Sequence, residues 1–307
     1  MIRSFGPLVV LALLVTMVGA VSPAVLAPQS LAAFITDASP LLLLVLASVL
    51  PILLGGIDLS VAAMATAATM GVALLAPHLG SWALPATLLI AAAIGCLQGW
   101  VIAVFQVPSF AISLGTLGML SGFSMYLTSA TPVPIDADLP LLPLLGETVR
   151  GIPNAVFVVL AVWILLIAAM RYLKLGRQVH SIGLQERAAV LSGVSAVRVR
   201  VVVYGLSAAC AAMAGILYVS QTMFSSPTFA DQMLLPAIVG VVLGGTAISG
   251  GVGGFVMSMV GGLTAAFLRI ASVVLGLPPT SQDIVYGLVV LVAVGFTLDR
   301  AKLGLVK

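Results

Sequence analysis

A carboxylate and a hydroxyl lie two positions apart at Asp58 and Ser60, in the stretch GGIDLS (residues 55–60) between two apolar runs. Such oxygens can accept hydrogen bonds from the free N–H groups at the start of a helix. Gly55 and Gly56 can end the preceding helix. A carboxylate at membrane depth is costly unless it faces protein or a cavity. The stretch is therefore interpreted as a capped tight turn, a broken helix lining a polar path, or both.

A second glycine-rich break occurs in VVLGGTAISGGVGG, residues 241–254. Its small and polar residues are too dense for a simple helix, and they favour either close helix packing or a re-entrant turn beside a pathway. Paired interrupted segments are the best sequence indication of a transporter core. The candidate pathway residues in this break are Gly244, Gly245, Ser249 and Gly250.

The sequence gives little support for a metal site, a protease site or ATP hydrolysis. The cysteines, Cys96 and Cys210, sit in apolar runs and are interpreted as small buried hydrophobes. With His78 and His180 as the only histidines, we expect no metal site and no cofactor, and a serine-protease arrangement around Ser249 lacks an obvious partner. The phosphate-binding pattern G-x-x-x-x-G-K-[ST] is absent from the sequence, so the chain is not expected to hydrolyse ATP by itself.

The elements that must position these residues are membrane helices. The chain of 307 residues is 62% hydrophobic and 7% charged, with a mean hydropathy of +1.28, whereas soluble domains carry roughly 25% charged residues. Membrane strands would alternate apolar and polar residues over about ten positions, a pattern that does not appear. The fold class is an all-α integral membrane protein in contact with lipid. The net charge of +3 is not taken as a sign of nucleic-acid binding.

About ten transmembrane helices are predicted, some of them short or broken, because a span needs about 20 mostly apolar residues. The N-terminus resembles a signal peptide, but its apolar run continues to about Leu26 and favours an uncleaved first span. The predicted spans are 6–27, 40–54, 58–76, 82–104, 108–128, 154–172, 199–221, 234–249, 252–270 and 282–298.

The basic residues orient these spans, since cytoplasmic loops carry an excess of Lys and Arg. With both termini in the cytoplasm, only Arg150 and Arg269 fall outside. Residues 129–153 then form an irregular periplasmic loop, and residues 173–198 form a cytoplasmic loop. The basic residues on the inner side are Arg3, Arg171, Lys174, Arg177, Arg187, Arg198, Arg200, Arg300, Lys302 and Lys307.

The cytoplasmic loop contains GLQERAAVLSG, residues 183–193, which predicts a short helix. Leu184, Ala188 and Leu191 recur at i, i+4 and i+7 and should share one face, with Glu186 pointing away from it. Such a helix either docks onto a partner or lies on the lipid headgroups. Spacing alone leaves the two alternatives open.

Another glycine pattern follows residue 106. Pro108 suits the first turn of a helix. Gly115, Gly118 and Gly122 then recur on a face suited to close helix packing.

Four motifs in this order resemble those of the permease subunits of ribose-type bacterial ABC importers. They are GGIDLS at 55, VPSF with LGT from 107 (including Pro108, Gly115 and Thr116), GRQVHSIGLQERAAVLSGV at 176 and VVLGGTAISGGVGG at 241. The resemblance implies a single non-enzymatic permease domain over residues 1–307 in the bacterial inner membrane. It also implies three kinds of partner: a second permease copy (a homodimer or a related heterodimer), ABC ATPase subunits, and a periplasmic binding protein that delivers a sugar or similar small polar solute.

The same resemblance implies that residues 183–193, called here the coupling segment, dock onto the ATPase. Gln185 departs from the asparagine usual in the family. The ATPase should move this segment and rock the breaks at 55–60 and 244–254 between outward and inward states. A separate hypothesis is that Arg150 and Arg269, the basic residues on the outer side, meet carboxylates of the binding protein; the alternative for Arg269 is snorkelling at a helix end. The coupling residues are Gly183, Gln185, Glu186, Arg187, Ala188, Ala189, Ser192 and Gly193.

Two other transporter classes remain possible from the sequence. A secondary transporter or facilitator would work without an ATPase, and the coupling segment disfavours it. The related permease class for branched-chain amino acids shares the general layout, and GGIDLS favours the sugar-type branch.

Overall fold

The computed structural model describes residues 2–135 and 139–297 and consists largely of helices. Within those residues the α-helices are α1 (Ile2–Val21), α2 (Pro28–Leu53), α3 (Val61–Leu79), α4 (Ala83–Phe105), α5 (Ser109–Thr128), α6 (Leu141–Gly146), α7 (Asn154–Tyr172), α8 (Lys174–Leu191), α9 (Ala196–Thr222), α10 (Leu234–Leu243), α11 (Phe255–Val274) and α12 (Gln282–Thr297). Two short antiparallel strand pairs join β1 (Val133–Pro134) to β4 (Phe224–Ser225) and β2 (Thr148–Val149) to β3 (Ile152–Pro153).

Each predicted span contains a helix, but one boundary is far off. The helix predicted to start at residue 40 begins at Pro28, because a proline fits a first turn. The added turns carry more polar residues than the rest of α2. One of them, Thr36, donates its hydroxyl to the Ala32 carbonyl at 2.9 Å. Residue 298, the predicted end of the last span, lies outside the described residues.

Membrane character is confirmed by the helices themselves. Within the described ranges, six helical stretches are long and apolar enough to cross a membrane, one of them the 45-residue Val61–Phe105, which holds both α3 and α4. Shorter apolar helices cover Gly6–Val21, Asp231–Leu243 and Gln282–Val292. The protein is therefore an all-α membrane protein.

Helices α2 and α9 form the centre. Every residue of α2 from Ala38 to Leu53 is buried, and α9 packs against α2, α3 and α4. The Ser207 hydroxyl of α9 donates to the Ala47 carbonyl of α2 at 2.9 Å. Polar groups in this apolar centre are thus paired within the protein, as a low-dielectric surrounding requires.

Helices α4 and α9 approach each other through glycine. A Cβ added at Gly99 would lie 2.6 Å from the carbonyl oxygen of Arg200, and Gly95, one turn earlier, faces the backbone of Tyr204. Small residues allow such close backbone approach. By contrast, Gly115, Gly118 and Gly122 have open space around them within the described chain. The close glycine packing foreseen for α5 therefore occurs, within this chain, between α4 and α9.

The bundle has two distinct ends. At one, called the coupling end, Glu186 of α8 contacts Arg200 near the start of α9. At the other, called the loop end, Gln221 near the end of α9 donates to the Thr36 carbonyl at 3.0 Å. The 129–153 segment is more regular than predicted, because it contains α6 and strands β1 to β3.

Part of the charge-based orientation rests on residues outside the described ranges. These are Arg300, Lys302 and Lys307, and the same holds for the side chain of Arg3.

Candidate functional site

The first break separates α2 from α3. Helix α2 ends at Leu53, and Gly55 then adopts φ +78°, a left-handed conformation that favours glycine. The Gly56 N–H donates back to the Pro51 carbonyl at 3.0 Å, which closes the turn. The chain is non-helical until Ser60, so GGIDLS lies between the two helices.

Asp58 is 7% exposed and is held by neighbouring polar groups. Its Oδ1 accepts from the Ser60 N–H at 2.8 Å, from the Ser60 hydroxyl at 2.5 Å and from Nε2 of Gln98 at 3.2 Å. The predicted capping by Ser60 is wrong, because its hydroxyl donates to Asp58 and makes no cap hydrogen bond. Gln98, a single amide within apolar α4, was not foreseen as a member of this site.

The second break separates α10 from α11. Four of its glycines, Gly245, Gly250, Gly251 and Gly253, have positive φ angles. Thr246 organises the turn: its hydroxyl lies 2.8 Å from that of Ser258 and accepts from the Gly254 N–H at 3.1 Å.

Three motifs that are distant in sequence meet at one point. The Gly251 N–H donates to the Leu53 carbonyl at 2.9 Å. A Cβ added at Gly250 would lie 2.6 Å from the nitrogen of Gly55 and 3.0 Å from the carbonyl oxygen of Gly183. We call Leu53, Gly55, Gly183, Gly250 and Gly251 the glycine junction. It joins the coupling segment to both breaks.

The coupling segment is not one regular helix. Gln185 has φ −161° and ψ 96°, which divides α8 into two helical parts. The predicted common face of Leu184, Ala188 and Leu191 is wrong, because the helical repeat does not continue through this kink. Leu184 is 67% exposed and Leu191 is 89% exposed, while Ala189 is the residue of the second part that is buried.

Glu186 forms an ion pair with helix α9. Its carboxylate lies 2.6 Å from the Arg200 guanidinium of α9. Arg187 is exposed. The Ser192 hydroxyl donates to the Ala188 carbonyl at 2.9 Å, and the chain turns at Gly193. The second part of α8 is thus tied to α9 and leaves its tip uncovered.

A cleft of about 800 Å³ opens beside the coupling segment at the coupling end. The Ser109 hydroxyl in its wall accepts from the Ile57 N–H at 3.0 Å and so ties α5 to the first break. Gly115 and Thr116 do not line this cleft. The residues that give the cleft polar or aromatic character are Gln106, Ser109, Glu186, Arg187, Arg200 and Tyr204, with Pro108 between them.

The two predicted docking arginines lie away from the coupling segment. Arg150 occupies the exposed turn between β2 and β3. Arg269 lines a second cleft, of about 620 Å³, together with Asp37 and Asp283. Arg269 therefore shares its surroundings with two carboxylates and does not present an isolated positive charge.

Several membrane-spanning helices, with two glycine-rich turns that meet at one end of the bundle, define a multi-span membrane protein. Comparison with known families then gives the particular family. The chain belongs to the family described as "Branched-chain amino acid transport system / permease component", which it matches over residues 30–294.

Curated relatives agree with this assignment. The ribose import permease protein RbsC of Escherichia coli K12 is 30% identical over 94% of this chain and 91% of its own length. The fructose import permease protein FruG of Bifidobacterium longum is 31% identical over 86% and 81%. The probable ABC transporter permease protein YphD of Escherichia coli K12 is 34% identical, but over 62% of this chain and 57% of its own length. No solved structure matches the chain.

These matches confirm the resemblance to ribose-type permeases drawn from the four motifs. The matching family is described for branched-chain amino acid transport, whereas the curated relatives with a named solute are permeases for ribose or fructose import. The chain belongs to a family of transport components rather than of catalytic enzymes.

Proposed function

We propose that this protein is the membrane-spanning subunit of an ABC importer and forms the path for a sugar or a similar small polar solute. It works in the bacterial inner membrane as ten spans, with both termini in the cytoplasm. The observation that carries this proposal is the glycine junction, which connects the coupling segment to both helix breaks. The permeases named for ribose and fructose import support the solute class.

Energy reaches the pathway by contact with a separate ATPase. The coupling segment presents Leu191, which is 89% exposed, and Val190 beside it at the coupling end. Such an apolar tip suits a groove on a partner protein. When the ATP sites close, the tip moves, and the breaks at 55–60 and 244–254 change between outward and inward arrangements.

The path lies between two copies of the chain, along α5. Three residues of α5 are buried, namely Ser113, Ser124 and Thr128. Its glycines at 115, 118 and 122 have open space, and Met119 and Tyr126 are 76% and 82% exposed. A helix this uncovered within one chain suits a face turned to a second copy. With Thr116 on the same helix and Ser249 in the second break, the path would bind the solute weakly, as release requires.

Reconstitution into liposomes tests the function. The chain is purified together with a candidate ATPase and a candidate binding protein, and uptake of ribose, fructose and related sugars is measured with ATP inside or outside the vesicles. We expect uptake against a gradient only with all three components, together with solute-stimulated ATP hydrolysis. Vesicles holding this chain alone that accumulate a solute would contradict the proposal and favour a secondary transporter.

Binding-protein docking takes place at the loop end, where Arg150 is exposed and distant from the coupling segment. Opposite charges across an interface mainly raise the association rate and are screened by salt. Arg150→Glu should therefore slow uptake several-fold at low salt and less at high salt. Because Arg269 is flanked by Asp37 and Asp283, its reversal should have the smaller effect. Unchanged uptake by the Arg150 variant at low salt would exclude this residue from docking.

A further inference from the structure

The glycine junction packs main chain against main chain. The last turn of α2 offers the Leu53 carbonyl, which accepts the Gly251 N–H at 2.9 Å. The backbone of Gly183 rests on the same carbonyl, and a Cβ added at Gly183 would overlap both that oxygen and the Gly251 nitrogen. A side chain at position 183 would therefore separate the coupling segment from both breaks.

Each of the three segments touches the other two. A Cβ added at Gly250 would meet the first break at Gly55 and also the carbonyl oxygen of Gly183. A Cβ added at Gly251 would lie 2.6 Å from the nitrogen of Leu184. Because each segment is in backbone contact with the other two, none of them can move closer to the others.

When one of these segments is pushed, backbone contacts of this kind do not let it slide past its neighbours. Packed side chains can change rotamer and let two elements slide by an ångström or two, but fixed main-chain atoms in van der Waals contact have no such freedom. By contrast, the link from the coupling segment to α9 is the ion pair of Glu186 and Arg200, which is partly exposed. Partly exposed ion pairs are weak and screened by solvent.

We infer that the start of the coupling segment, Gly183 and Leu184 before the kink, moves as one rigid body with the two helix breaks, and that Gly183 is the positioning residue that keeps them in contact. This inference rests on the proposed function and deepens it, because it states where a push by the ATPase is transmitted.

A cross-link across the junction tests the inference. In a chain carrying Cys96→Ser and Cys210→Ala, we introduce Leu184→Cys and Val252→Cys, two exposed positions on the coupling segment and the second break. The complex with ATPase and binding protein is reconstituted and treated with a short bifunctional thiol reagent. We expect the cross-linked complex to keep its sugar uptake and its solute-stimulated ATP hydrolysis within about twofold, because parts that move together tolerate a link.

The two single-cysteine variants, treated with the same reagent, control for modification alone. A tenfold loss of uptake on cross-linking, relative to both treated single variants, would show that the coupling segment slides over the break and would overturn the inference. Failure of the pair to cross-link would overturn it as well. Uptake against a gradient in vesicles without the ATPase would instead contradict the proposed function, whatever the cross-link does.

Replacing Gly183 gives an independent readout. Gly183→Ala should leave capture of the ATPase intact, since the tip at Leu191 is unchanged, but lower the sugar transported per ATP at least tenfold. Gly287→Ala, a helical glycine with open space around it, is the matched control and should transport normally. Normal coupling in the Gly183 variant would overturn the inference; if that variant does not fold, the cross-link decides.

Discussion

Gly99→Leu is expected to prevent the protein from reaching a stable fold. A Cβ at this position would lie 2.6 Å from the Arg200 carbonyl oxygen, so the leucine would meet backbone that no rotamer change can move. Overpacking of a core typically costs about 1–3 kcal/mol, and separating two central helices should exceed that range. We expect loss of the monodisperse peak in detergent size-exclusion chromatography and a fall in the melting temperature of any recovered protein.

Gly287→Leu is the control for this substitution. The residue is also in a helix, and no atom lies within 4 Å of an added Cβ. Because glycine in a helix costs about 1 kcal/mol relative to good helix formers, this variant should be as stable as the parent or slightly more stable. A Gly99 variant that melts with the parent protein would show that α4 and α9 are farther apart than the structure places them.

Leu191→Asp is expected to abolish capture of the ATPase without unfolding the permease. Leu191 is 89% exposed at the tip of the coupling segment, so it contributes little to the chain's own stability. In a partner's apolar groove the new carboxylate would be buried without a counter-charge, which costs several kcal/mol. Since each 1.4 kcal/mol is about tenfold in affinity, co-purification of the ATPase and solute-stimulated hydrolysis should both fall at least tenfold.

Leu144→Asp matches this change at the loop end, on the exposed surface of α6. It should retain the ATPase at the level of the parent. Thermal stability in detergent should be unchanged for both variants. If the Leu191 variant still captures the ATPase, the coupling segment lies on the membrane surface, which is the alternative left open by the sequence.

The sequence predicted that the fold consists of membrane helices, because hydropathy depends on local composition. Runs of apolar residues placed a helix in each predicted span, and the lack of charge required a membrane. The prediction was wrong for the start of α2. This helix begins at Pro28, twelve residues before the predicted span, because Thr36 and other polar residues are helical there.

The candidate site was predicted as separate motifs and not as one place. GGIDLS, the coupling segment and the second glycine break were each identified from residue types. Their meeting at Leu53, Gly183 and Gly251 was not, because contacts between residues so far apart in sequence leave no local pattern. Gln98 was likewise missed, although a lone amide inside an apolar helix is a usable signal.

By itself the sequence determined that this chain is a helical membrane permease with two glycine-rich breaks and one polar cytoplasmic segment, because composition and ordered motifs are properties of the chain in one dimension. Only the tertiary structure decided that, within the described residues, Gly95 and Gly99 pack closely while Gly115, Gly118 and Gly122 of α5 do not, and which way Glu186 turns. Those outcomes depend on which backbone lies opposite each residue, and that is fixed only when distant helices come together.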